Sequence, residues 1–132
     1  MLAVTAADTA AAGRAAAEQQ MTDACRIERT GPVVTSQDGT DTTPTTLVYE
    51  GPCRVKPAGT AAVIPSATAP SETWQYKLSI PYEQGANVRS NDRVTITGSQ
   101  DPTLADLRLQ VRNIDRGTHI TARRIWCTEV SR

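Results

Sequence analysis

The amino-acid sequence predicts a mainly β fold: a small antiparallel β-barrel or sandwich of about six strands, with an N-terminal α-helix and a long inserted loop. Three observations carry that expectation. From Asp23 onward apolar residues alternate with polar ones, the period of strands with one buried face. Gly, Pro, Asn and Asp interrupt the alternation at the spacing of hairpins. Before Asp23 the chain is rich in alanine, the best helix former. A chain of 132 residues has room for one core. It therefore divides into a helix over 1–22, which packs or serves as an inter-subunit arm, and a barrel domain over 23–132 that contains loop 57–71.

The helix is expected over 2–20. Thr5-Ala6-Ala7-Asp8 offers a capping box at its start, and Gly13 costs roughly 1 kcal/mol relative to Ala in its middle. Its apolar positions are almost all alanine, so it gains little from burial on its own domain. Two roles follow: a frayed arm, or a helix packed on a neighbouring subunit where small side chains permit close approach.

The first strand is Cys25-Arg26-Ile27-Glu28-Arg29, ended by Gly31-Pro32. Residues 35–46 form a polar loop with a hairpin-type turn at Asp38-Gly39. Leu47 to Glu50 resumes the sheet and Cys53 to Lys56 continues it. The intervening Gly51-Pro52 predicts an edge position or a bulge. Residues 57–71 follow neither period; their centre, Ala61, Ala62, Val63, Ile64 and Pro65, is the candidate channel or partner loop. In the next strand Trp74, Tyr76, Leu78, Ile80 and Tyr82 share one face and should supply most of an aromatic core. Val94 and Ile96, in a strand that starts at Val88 and turns at Asn91-Asp92, and Leu109 and Val111 complete the expected core. Asn113-Ile114 breaks parity and predicts a bulge. The last strand is apolar on both faces, with Trp126 on one and Ile125 and Cys127 on the other, so it needs two covers, the second from the N-terminal helix or from another subunit. Arg123, Arg124, Ile125 and Trp126 are accordingly the candidate inter-subunit contacts.

Composition narrows function. Fourteen basic residues balance fourteen acidic ones, which argues against a surface built mainly to neutralise phosphates. There is no phenylalanine, and the thin supply of large apolar side chains favours a small barrel or a subunit that completes its burial against copies of itself. No apolar stretch approaches the roughly 20 residues of a membrane span, and no secretion signal is seen, so folding in the cytoplasm is expected. Cys25, Cys53 and Cys127 are widely spaced without a CxxC pair and read as buried small hydrophobes; no metal site is expected. His119 is the only imidazole and reads as a strand histidine on a polar face. Asp92, Asp101, Asp106 and Asp115 sit where turns prefer Asp, and no phosphate-binding glycine motif occurs, so neither a catalytic site nor a cofactor is expected. A single-stranded nucleic-acid-binding barrel is the main alternative, because the chain from Arg108 carries a net +4. Such binders interleave cations with stacking aromatics, whereas the aromatics here cluster at 74–82 on the apolar face. The arginines read more readily as partners for carboxylates of adjacent subunits.

Several runs resemble a known family. Met21-Thr22-Asp23-Ala24-Cys25-Arg26-Ile27 after an Ala-rich helix and Tyr49-Glu50-Gly51-Pro52-Cys53-Arg54-Val55 are similar to head-to-tail connector proteins of long-tailed phages infecting actinobacteria. So are Ser71-Glu72-Thr73-Trp74-Gln75-Tyr76, Asn91-Asp92-Arg93-Val94-Thr95-Ile96, and Asp115-Arg116-Gly117-Thr118-His119 with Thr121-Ala122-Arg123-Arg124. Where the family usually has Gly before the Asp of the fourth block, this chain has Asn91, which also tolerates a left-handed backbone. The resemblance implies a head-closure, or stopper, protein of the virion neck, assembled in the host cytoplasm. Such a protein forms a homo-oligomeric ring, generally a hexamer, between the portal with its adaptor ring and the tail terminator or tail tube. Double-stranded DNA passes through its channel without specific binding. A tail terminator or another connector-ring subunit is the nearest alternative within that reading.

Overall fold

The computed structural model describes residues 5–58, 63–64, 72–73 and 75–130. It is mainly β: one N-terminal helix and a closed six-stranded antiparallel barrel.

Helix α1 spans Ala6–Gln19. Thr5 caps it reciprocally with Asp8: Asp8 N–H donates to Thr5 Oγ1 and Thr5 N–H to the Asp8 carboxylate, each at 3.1 Å. These bonds hold the Asp8 carboxyl below its usual range. The helix docks on its own barrel. Ala10 is buried, and a Cβ on Gly13 would lie 2.6 Å from Thr121 Cγ2, so the glycine is where helix and barrel touch.

In chain order the strands are β1 Asp23–Thr30, β2 Val34–Thr35, β3 Asp41–Thr42, β4 Thr45–Pro57, β5 Val63–Ile64, β6 Glu72–Thr73, β7 Tyr76–Ile80, β8 Arg93–Gly98, β9 Arg108–Ile114 and β10 Arg123–Glu129. The barrel runs β1-β4-β7-β10-β9-β8 and closes where β8 pairs with β1. Closure leaves no edge for β4, so the edge expected at Gly51-Pro52 does not exist and β4 runs through it. Gly51 and Pro52 pair regularly with Cys25 and Ala24, and the bulge lies three residues earlier: Ile27 pairs with Tyr49 but Glu28 with Leu47, leaving Val48 unmatched. Gly51 makes room for the Tyr49 ring, whose hydroxyl lies 3.0 Å from a notional Cβ and donates to Pro52 O at 2.5 Å. The predicted β9 bulge falls where Trp126 pairs with Asn113 but Cys127 with Val111, so Arg112 is the extra residue.

Alternate residues fill the interior: Cys25 and Ile27, Tyr49 and Cys53, Leu78 and Ile80, Val94 and Ile96, Leu109 and Val111, Ile125 and Cys127. The core is aliphatic and thiol-rich rather than aromatic. Tyr49 is the one buried aromatic among the described residues, and Tyr76 is half-buried against the core. Tyr82 lies outside the barrel because Pro81 follows the end of β7 and breaks the parity. Trp74 lies outside the described residues.

Two connections differ from expectation. Residues 88–92 are coil and turn rather than strand, with Asn91 at φ 73, and β8 starts only at Arg93; Val88 is nevertheless buried. Segment 57–71 is not wholly loop, since Val63 pairs with Thr73 and Ile64 with Glu72. The Asp38-Gly39 turn does join a hairpin, β2–β3, with Gly39 at φ 85.

Candidate functional site

The predicted inter-subunit residues separate when placed on β10. Ile125 is fully buried inside its own barrel and is unavailable to another subunit. Arg123 is held within the chain: its Nε donates to Tyr82 O at 2.8 Å and its guanidinium stacks 4.1 Å from the Tyr82 ring centre. Arg14 of α1 stacks on the same ring at 3.7 Å and donates to Ile120 O at 3.1 Å. Tyr82 thus joins helix, barrel and β10 through two cation–π contacts, a role its sequence position concealed.

Arg124 and Trp126 point outward. Arg124 Nη2 donates to Thr121 Oγ1 at 3.1 Å. The indole N–H of Trp126 donates to Asp115 at 2.9 Å, and Lys77 Nζ lies 5.0 Å from its ring centre. The second cover expected for β10 is therefore partial and comes from this chain: the end of α1 near Ala122 and Arg124, and these polar groups around Trp126. Of the loop candidates, Val63 and Ile64 lie on β5, while Ala61, Ala62 and Pro65 lie outside the described residues.

Several arginines pair with carboxylates of this same chain. Arg26 binds Glu50 at 2.6 Å and Glu28 at 3.8 Å. Arg29 grips Asp92, which is 2% exposed, through Nε at 2.9 Å and Nη2 at 3.0 Å. Asp92 also accepts Arg89 N–H at 2.8 Å, so the turn chemistry read for Asp92 is present, joined by an ion pair from 63 residues away.

The cysteines line the core as free thiols. Burial pushes the Cys127 thiol up to about 12. A hydrogen bond with Cys25, and then burial, push Cys53 up strongly. His119 is not on a strand: it sits exposed in a turn, in left-handed backbone at φ 58. Among the described residues no cluster of His, Cys, Asp and Glu could hold a metal ion.

Three of the surface concavities differ in chemistry. One of about 590 Å³ is lined by Leu47, Val48, Tyr49, Glu50, Pro52 and Gln84. A second of about 420 Å³ surrounds Arg29, Arg89 and Arg93. A third, of about 90 Å³, lies between the end of α1 and the outer face of β4, β7 and β10. Among the described residues the exposed large apolar ones are Val33, Val34 at the start of β2, and Leu47 in β4. No described helix is long and apolar enough to cross a membrane.

No curated protein and no solved structure matches the chain. A family model does match, over residues 13–128, which takes in the second half of α1 and the barrel up to Thr128 of β10. The chain belongs to that family, described as a family of unknown function (DUF6093).

Proposed function

We propose that this chain is a structural subunit of a phage virion, a head-to-tail stopper. In this reading its copies form a homo-oligomeric ring, a hexamer, between the portal with its adaptor ring and the tail terminator or tail tube. The ring retains packaged double-stranded DNA until ejection and offers the surface to which the tail attaches. The observation that supports it is a barrel filled by its own side chains whose exposed large apolar residues, among those described, are Val33, Val34 and Leu47, all in or next to the connection from β1 to β4. An exposed apolar group of this kind marks an interaction surface. A ring needs a second, different patch on the other side of the subunit. The outward Arg124 and Trp126 supply it, because β10 stands three strands from β1 in either direction around the barrel. Zero net charge suits a channel through which DNA slides.

Deleting residues 59–69 tests the reading in particles. Particles that package DNA but leak it, or fail to take a tail, are the expected result; normal infectious particles overturn it. A particle reconstruction would locate the ring and separate a stopper from a tail terminator. A second reading, a single-stranded nucleic-acid-binding barrel, is favoured by one observation: Trp126 faces outward between Lys77 and Arg124. Micromolar, salt-dependent binding to short single strands in a gel shift would favour it over the ring.

A further inference from the structure

We propose that the cleft between the end of α1 and the outer face of β4, β7 and β10 is a binding site for a phosphate group. Its polar lining is Gln20, Arg54, Lys56, Lys77, Ser79 and Arg124. The strand register brings these together. Arg54 stands opposite Ser79, and Ser79 opposite Arg124, so two guanidiniums flank one hydroxyl. Lys56 stands directly opposite Lys77. Like charges facing each other across a ladder are destabilising unless something negative lies between them.

Nothing in the described chain supplies that negative charge. No carboxylate lines the cleft. The ion pairs among the described residues are Arg26–Glu28, Arg26–Glu50 and Arg29–Asp92, and none includes these four cations. Arg54 donates to the Gln20 side-chain carbonyl at 2.6 Å, and Arg124 to the Thr121 hydroxyl. Both partners are neutral, so they orient the guanidiniums without cancelling their charge. The last helix carbonyls do not oppose an anion freely, because Ala17 O accepts from Gln20 N–H and Glu18 O from Met21 N–H.

Size and donor number select the ligand. A volume of about 90 Å³ is well under the roughly 300 Å³ at which clefts take drug-sized molecules, so only a compact anionic group enters. A carboxylate offers two oxygens and one charge, which a single guanidinium satisfies. Two guanidiniums, two ammoniums and a hydroxyl match the four oxygens and higher charge of phosphate. That group is either free phosphate or one unit of a nucleic-acid backbone. The assignment stands on the cleft alone and is independent of the ring reading.

The test is titration of the full chain with inorganic phosphate at fixed ionic strength in chloride, followed by melting temperature and by calorimetry. A saturable rise in melting temperature is expected. Lys77→Gln and Arg124→Gln should each weaken phosphate binding roughly tenfold or more, while Arg116→Gln, outside the cleft, leaves it unchanged. Short duplex DNA is titrated against the same proteins. Sensitivity of DNA binding to the two cleft variants identifies the backbone as the source of the group, and phosphate binding alone identifies the free ion. A wild-type protein indifferent to phosphate, or cleft variants that bind it as wild type does, overturns the proposal. So does an oligomer that ignores phosphate and dissociates on Arg124→Gln, since a carboxylate of a second copy would then occupy the cleft. Circular dichroism of each variant separates lost binding from lost folding, and the phosphate-against-chloride comparison on wild type needs no variant.

Discussion

Removing Arg29 and removing Asp92 break the same ion pair, yet the structure predicts unequal costs. The Asp92 side chain is 2% exposed and that of Arg29 32%. In Arg29→Ala the carboxylate loses two charge-assisted bonds, keeps only the Arg89 N–H at 2.8 Å, and stays buried without a counter-charge. Such a loss costs about 3–5 kcal/mol. In Asp92→Ala the guanidinium keeps Asn87 O at 2.7 Å and turns its remaining donors to water, while Arg89, itself exposed, can hydrate its N–H. That cost is about 1–2 kcal/mol. The double variant should lie close to Asp92→Ala alone, because the second removal takes away a charge that the first had stranded. Urea unfolding followed by tryptophan fluorescence measures all three. With a slope of about 1.5–2 kcal/mol/M, Arg29→Ala should move the midpoint down by about 1.5–3 M and Asp92→Ala by about 0.5–1.3 M. Equal shifts, or a larger one for Asp92→Ala, would refute the reasoning, since they would mean that burial of the carboxylate is not what sets the cost.

Three other outcomes follow from particular contacts. Gly13→Ala gains about 1 kcal/mol of helix propensity but drives a Cβ to within 2.6 Å of Thr121 Cγ2, a clash of about 1–3 kcal/mol, so thermal melts should show net loss. Adding Thr121→Ser removes that methyl, keeps the hydroxyl that binds Arg124, and should restore stability to wild type or above. Ile125→Ala empties a fully buried site and should cost about 2–5 kcal/mol, whereas Trp126→Phe keeps the outward ring, loses the bond to Asp115 and should cost about 1 kcal/mol in the same melts. Stability should also fall in alkali. The Cys127 thiol is raised from 9.0 to about 12, so it stays protonated in the folded chain while it ionises in the unfolded one. Its contribution is full below pH 9 and disappears as pH rises toward 12, a loss of roughly 4 kcal/mol. Cys127→Ala melts that decline as steeply as wild type over that range would contradict this.

The barrel was legible because its strands obey period two, and the residues expected inside from β7 to β9, Leu78, Ile80, Val94, Ile96, Leu109 and Val111, are the ones that fill it. The failures have local causes. Tyr82 continues the apolar parity of β7 on paper, but Pro81 ends the strand and turns the ring outward to Arg14 and Arg123. Trp126 sits among apolar neighbours in β10, yet its indole N–H gives it a polar partner and so an outward place. His119 follows Gly117 and Thr118 in a turn whose left-handed backbone no alternation reveals.

What the sequence hid more deeply is pairing across distance. Gly13 reads as a flaw in a helix until Thr121 is set against it, and then it is the contact that lets an alanine-rich helix dock on its own barrel. Asp92 reads as a turn residue because its turn bond is local, while Arg29 reaches it only once β1 and β8 are neighbours. Charge behaves the same way. A sum of zero is true of the chain and of no particular face, for Arg54, Lys56, Lys77 and Arg124 are spread over 71 positions of sequence. They meet because β4, β7 and β10 are adjacent and because each cation holds an outward position in its strand. Neutrality therefore excludes a protein that is basic everywhere, and leaves open one that gathers its cations where a single anionic group is to be held.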